Sequence, residues 1–155
     1  MNYIKTKIIA GILLIIIASA VIFSITDKKY ERYVMFFKNS VTSKVEAEIR
    51  YVPVQNIEDA SVYFFKELML GPVNHDYYPF LKSGKSVLSC FVKNNTLHAD
   101  LPASFMESID DGIDSEDIKF LFFKNIFVNC KNLEAAYIYV EGVQIYELLK
   151  NNAEI

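Results

Sequence analysis

The sequence predicts an α+β fold: one domain with a mixed sheet and two main helices packed on one face, preceded by a single transmembrane helix. Three observations predict it. Residues 8–26 form an uncharged apolar run. Beyond it, segments with period-two and period-four hydrophobicity follow in the order strand, strand, helix, hairpin, helix, strand. Gly71-Pro72 and Asn94-Asn95 supply a helix stop and a tight turn between them.

The apolar run is long enough to be an anchor. At ~1.5 Å rise per residue, about 19 helical residues span a hydrocarbon layer of ~30 Å. Ile8, Leu13, Ile16, Val21 and Phe23 are its expected anchor residues. A cleaved signal peptide has a shorter apolar core of about 7–15 residues and a small-residue cleavage site. Ala18-Ser19-Ala20 imitates that site, but cutting there would leave Val21-Ile22-Phe23 at the new terminus. A lipoprotein signal needs a cysteine after the run, and the first is Cys90. Lys5 and Lys7 before the run are balanced by Lys28, Lys29 and Arg32 after it, so charge alone does not set the orientation. The expected organisation is a tail (1–7), an anchor (8–26), a linker (27–32), a domain (33–150) and a tail (151–155).

About 128 residues remain after the anchor, enough for one domain with a real core. A formal charge of −3 argues against nucleic-acid binding, which needs a basic face. Cys90 and Cys130 both fall at apolar positions and read as small core residues. Whether they pair depends on a Cα separation that sequence does not give.

The first strand is expected at 33–37, a continuous apolar stretch. The second is expected at 45–51, with Val45, Ala47, Ile49 and Tyr51 toward the core and Glu46, Glu48 and Arg50 toward water. Pro53 closes it. A helix over 57–70 follows, capped by Asn56, with Asp59 in its first turn and a buried stripe of Ala60, Phe64 and Leu68. After a loop at 73–85, strands at 86–93 and 96–101 flank Asn94-Asn95, which tolerates the positive φ of a two-residue turn. A helical turn is expected around Phe105. A second long helix begins at Asp114 or Ser115 and runs to about Cys130, with a wide apolar arc. A strand at 135–140 precedes a short closing helix at 146–150.

No catalytic constellation emerges. His98 and Asp100 share one strand face and read as a solvated polar pair, and His75-Asp76 sits in a loop without further ligands nearby. Asp110, Asp111, Asp114, Glu116 and Asp117 cluster around Gly112, but the alternating oxygen ligands and terminal glutamate of a calcium loop are absent. No cofactor or metal site is therefore expected. Tyr77, Tyr78 and Phe80 form the candidate partner surface, since tyrosine joins a broad apolar ring to a hydrogen-bonding tip. The competing reading is that these rings lid the core.

Taken together, these landmarks resemble the GerMN domain, a module of spore-formation and germination proteins. The resemblance rests on the opening strand at 33–37, Glu48 and Arg50 in the second strand, and Leu68-Met69-Leu70-Gly71-Pro72. It continues through Gly84 before Val87 and Val92, Asn95-Thr96 leading to Asp100-Leu101, Phe105, and Ile138-Tyr139-Val140-Glu141-Gly142. The chain departs at Ile126, where the family usually carries a threonine. The resemblance implies a noncatalytic head outside the cytoplasmic membrane, in a single-pass protein that mediates protein–protein interaction or assembly with envelope proteins or itself. The alternative is a module binding cell-wall glycan or peptide through Tyr77, Tyr78 and Phe80.

Overall fold

A computed structural model describes residues 7, 9, 11–19, 30–54, 59–82, 85–110 and 113–152. Contacts divide the chain into Met1–Tyr30 and Glu31–Ile155. In the first unit the described residues are helical, and Leu13 and Ile16 expose more than half their surface. Ile8, Val21 and Phe23 lie outside the described residues. Among the described residues, no helix is long and apolar enough to cross a membrane.

The second unit is a mixed α+β domain. Strands β1 (Tyr30–Lys38) and β2 (Val45–Pro53) form a two-stranded ribbon. Strands β3 (Ser89–Lys93), β4 (Thr96–Leu101), β5 (Ala135–Val140) and β6 (Val143–Leu149) form a four-stranded sheet in that order. Its pairings are antiparallel, parallel and antiparallel. The connection from β4 to β5 contains α2 (Ser104–Asp110) and α3 (Ser115–Asn129), while α1 (Ala60–Met69) lies between β2 and β3. Helix α1 packs on β3 and α3, and α3 packs on β6.

Phe122 of α3 centres the core. It is fully buried, with ring centroids of Phe80 at 4.8 Å, Phe105 at 5.8 Å, Phe65 at 6.0 Å and Tyr146 at 6.2 Å. One residue therefore ties α1, α2, β6 and the loop after α1 to α3. The inner face of the sheet completes the core with Leu97, Ala99, Ile138 and Leu148.

Several expectations change. Strand β1 begins at Tyr30, inside the stretch read as linker. The cap of α1 is Asp59, whose Oδ1 accepts the Ser61 N–H at 2.8 Å, while Asn56 lies outside the described residues. Ala60 is exposed, and the buried face is Val62, Phe64, Phe65, Leu68 and Met69. The helix expected at 146–150 gives way to strand: Glu141 and Gly142, both at positive φ, turn the chain back so that Val143–Leu149 pairs with β5, and a 3-10 turn at Lys150–Asn152 follows. Val, Ile and Tyr there suit a pleated strand better than a helix. The hairpin turn at Asn94 and Asn95 has φ of 49° and 57°, as the sequence predicts. Asp114 caps α3 by accepting the Glu116 N–H.

The largest reversal is in β2. Val45, Ala47, Ile49 and Tyr51 face solvent, and Glu46, Glu48 and Arg50 are half-buried. The charged side is needed inside. Arg50 pairs with Glu48 and donates to the carbonyls of Glu67 (3.2 Å) and Gly71 (2.9 Å), holding the carboxyl end of α1. Glu48 Oε2 accepts the Val73 N–H at 2.9 Å. Helix-end carbonyls lack intrahelical partners, so a cation there is favourable. Gly71 itself has φ of 89°, and an added Cβ would meet the Pro79 Cβ at 3.3 Å.

Strand β1 is held by side chains in place of a third strand. Asn125 is wholly buried; its Oδ1 accepts the Phe36 N–H at 2.8 Å and its Nδ2 donates to the Phe36 carbonyl at 2.8 Å. One turn later, Asn129 repeats this with the Val34 N–H (2.9 Å) and carbonyl (2.8 Å). Lys38 pairs with Asp117 at 2.6 Å along the same helix. Replacing Asn125 by alanine strands the N–H and C=O of Phe36, each costing about 1–3 kcal/mol when buried. Asn125→Ala is expected to lose about 3 kcal/mol of stability in urea denaturation; an unchanged midpoint would contradict this role.

Cys90 and Cys130 are not joined by a disulfide. Cys130 is buried beside the end of α3, and burial pushes its thiol up to about 12 from 9.0, against a smaller lowering by Ser61. An unfolded thiol ionises first, so this group draws stability away as pH rises through the window from 9.0 to about 12. Cys130→Ala is expected to flatten the loss of urea midpoint across that window; equal losses in both proteins would refute the assignment.

Candidate functional site

The open face of the four-stranded sheet gathers the site. Register sets Phe91 opposite His98, His98 beside Tyr137, and Tyr137 opposite Glu147, a row crossing all four strands. The next row is Ser89, Asp100, Tyr139 and Gln144. Side chains two residues apart on a strand share a face, so alternation in β3, β4 and β5 places their members of both rows on the side away from the core, while a register shift between Ile138 and Tyr139 brings Gln144 opposite Tyr139.

The rings stand side by side. His98 lies 4.9 Å from Phe91, 5.5 Å from Tyr137 and 6.2 Å from Tyr139 between centroids, with interplanar angles of 15°, 24° and 21°. His98 Nδ1 is 3.3 Å from the Tyr139 hydroxyl. The Tyr137 hydroxyl donates to Glu147 Oε1 at 3.1 Å, and that bond raises the phenol pKa because it favours the protonated form. Asp100 Oδ1 accepts the Gly142 N–H at 3.0 Å, pinning the β5–β6 turn. A shallow hollow of about 240 Å³ opens among Ser89, Phe91, His98, Asp100 and Tyr139. Phe91 is 49% exposed.

The face offers an apolar ring edge, an imidazole, phenol hydroxyls and a carboxylate, all carried on strands. His98 and Asp100 share the face as expected but take different partners, Tyr139 and Gly142. Among the described residues, no three His, Cys, Asp or Glu side chains converge as metal ligands. Asp114 is engaged at the helix cap and Asp117 with Lys38, whereas Asp111 and Gly112 lie outside the described residues.

Tyr77, Tyr78 and Phe80 are brought together, but over the core. Phe80 is 4% exposed and stacks on Phe122, so it offers no surface to a partner. Tyr77 stacks on Phe37 at 6.2 Å and donates to Glu46 Oε2 at 3.0 Å, a bond that raises its phenol pKa. Tyr78 is half-buried, with its N–H on the Lys38 carbonyl. The sequence reading named His98 but missed Phe91, Tyr137 and Tyr139 as its neighbours. Their alternation within each strand was visible; their register across a helical crossover was not.

No family model matches the chain, and no curated protein matches it in sequence. Solved structures do match. The first GerMN domain of the sporulation protein GerM from Bacillus subtilis aligns with a TM-score of 0.54 at 12% identity, covering 79% of this chain and 99% of that one. The tandem GerMN domains of the same protein align with a TM-score of 0.52 at 13% identity, covering 76% of this chain. This chain spans 41% of that tandem structure. The β1–β6 domain therefore has a GerMN-like fold.

Proposed function

We propose that this protein is a noncatalytic, single-pass envelope protein of the cytoplasmic membrane, whose extracytoplasmic GerMN-like head binds other envelope proteins or assembles with itself. The uncovered sheet face carries this reading: Phe91, His98, Tyr137 and Tyr139 form a broad, shallow, rigid surface with polar tips. Interfaces favour aromatic residues, whereas small-molecule sites are deeper and more enclosed. The apolar run at 8–26 supports the anchor. A domain of known structure with a similar fold belongs to a sporulation protein, which supports a role in building or remodelling the envelope.

A second reading, binding of cell-wall glycan or peptide, is favoured by the hollow beside His98, where Ser89, Asp100 and the Tyr139 hydroxyl gather. The two separate in one experiment. A photocrosslinking residue replacing Phe91 in the full-length chain is expected to capture a protein in intact cells. Removing the neighbouring Tyr139 ring by Tyr139→Ser should cut that capture about tenfold, the effect of losing one aromatic anchor. If no protein is captured while the purified chain binds cell-wall fragments with a shift in the His98 imidazole resonances, the second reading replaces the first.

A further inference from the structure

We propose that the outer face of the β1–β2 ribbon seats on an anionic lipid surface, an inference that rests on the membrane-anchor reading above. Strand alternation gives this face Tyr30, Val34 and Phe36 from β1, and Val45, Ile49 and Tyr51 from β2. Tyr30, Val45, Ile49 and Tyr51 are 58%, 37%, 53% and 65% exposed. A two-stranded ribbon with this much apolar surface in water needs a cover.

Charge selects the cover. Glu31, Glu46 and Glu48, the ribbon's only carboxylates, alternate onto the opposite face, while Arg32 belongs to the outer one, as does Lys38, which Asp117 of α3 already pairs. A third cation, Lys124 Nζ, sits 4.3 Å over the Phe36 ring. The chain as a whole carries −3, so this face opposes the average sign. A second copy placed face to face across a twofold axis would bring Arg32 and Lys124 against the same cations of its partner, while Asp117 is already engaged by Lys38. Anionic headgroups supply the missing charge, and tyrosines at both strands suit the boundary between lipid and water.

Chain length agrees with this. Only Asp27, Lys28 and Lys29 separate the apolar run from Tyr30, at no more than about 3.6 Å per residue. A chain anchored through that run therefore carries the ribbon within reach of the bilayer surface. The occupant is the lipid of the membrane that holds the anchor.

The chain has no tryptophan, so a single introduced one reports its own surroundings. Full-length Tyr51→Trp and Phe91→Trp variants are reconstituted into vesicles of phosphatidylcholine and phosphatidylglycerol, with and without brominated acyl chains. Tyr51→Trp emission is expected to fall about twofold in the brominated vesicles, an effect weakened by salt and by omitting phosphatidylglycerol, while Phe91→Trp emission is unaffected. A chain retained after alkaline carbonate washing whose Tyr51→Trp emission is not quenched overturns the seat and leaves the anchor standing. Unquenched emission that shifts with the protein-to-lipid ratio assigns the face to a second copy and also overturns it. A chain released by carbonate overturns both.

Discussion

The architecture depends on how the peptide groups of β1 find partners. A strand has two hydrogen-bonding edges, and β1 shares only one of them with β2. Its other edge meets a helix, which has no spare backbone groups to offer. Asn125 and Asn129 answer this by turning their amides toward β1, each matching one N–H and one C=O of a strand residue. A two-stranded ribbon is marginal alone. With α3 standing where a third strand would be, β1 can press Tyr33, Met35 and Phe37 into the core beneath it.

That arrangement explains what could be read from the sequence and what could not. Local chemistry was legible: Gly71 and Pro72 ending α1, Asp114 opening α3, paired asparagines turning β3 into β4. These signals act within a few residues, so the chain carries them openly. Partnership between distant segments was not legible. Asn125 lay inside an apolar helix with nothing to mark it as a strand partner. The alternation in β2 gave its period correctly and its direction wrongly, because hydrophobicity says which residues lie together and Arg50 was needed inward to hold α1. Strand β6 was missed since its partner across Gly142 was read as the chain's last strand. At the site, His98 stood out as a residue type, while the rings around it came from strands whose alignment the crossover sets.

The domain thus presents two faces of unlike chemistry. The sheet offers rings whose polar tips are already oriented by Glu147, Tyr139 and the β5–β6 turn, so the proposed binding would require little further ordering. The ribbon offers exposed apolar side chains beside Arg32 and Lys124, with Glu46 and Glu48 turned to the loop after α1. The proposed recognition and the proposed lipid seat fall on different sheets, joined through α3 and the Phe122 cluster.

The parallel pairing of β4 with β5 has a kinetic consequence. Both β3–β4 and β5–β6 are closed by two-residue turns and can form quickly on their own. Joining them requires the chain between Leu101 and Ala135 to loop back, and two helices to settle in that loop, before any rung of the central ladder exists. Contacts so distant along the chain slow folding. Until they form, each hairpin carries an unprotected inner edge, open to pairing with the wrong neighbour.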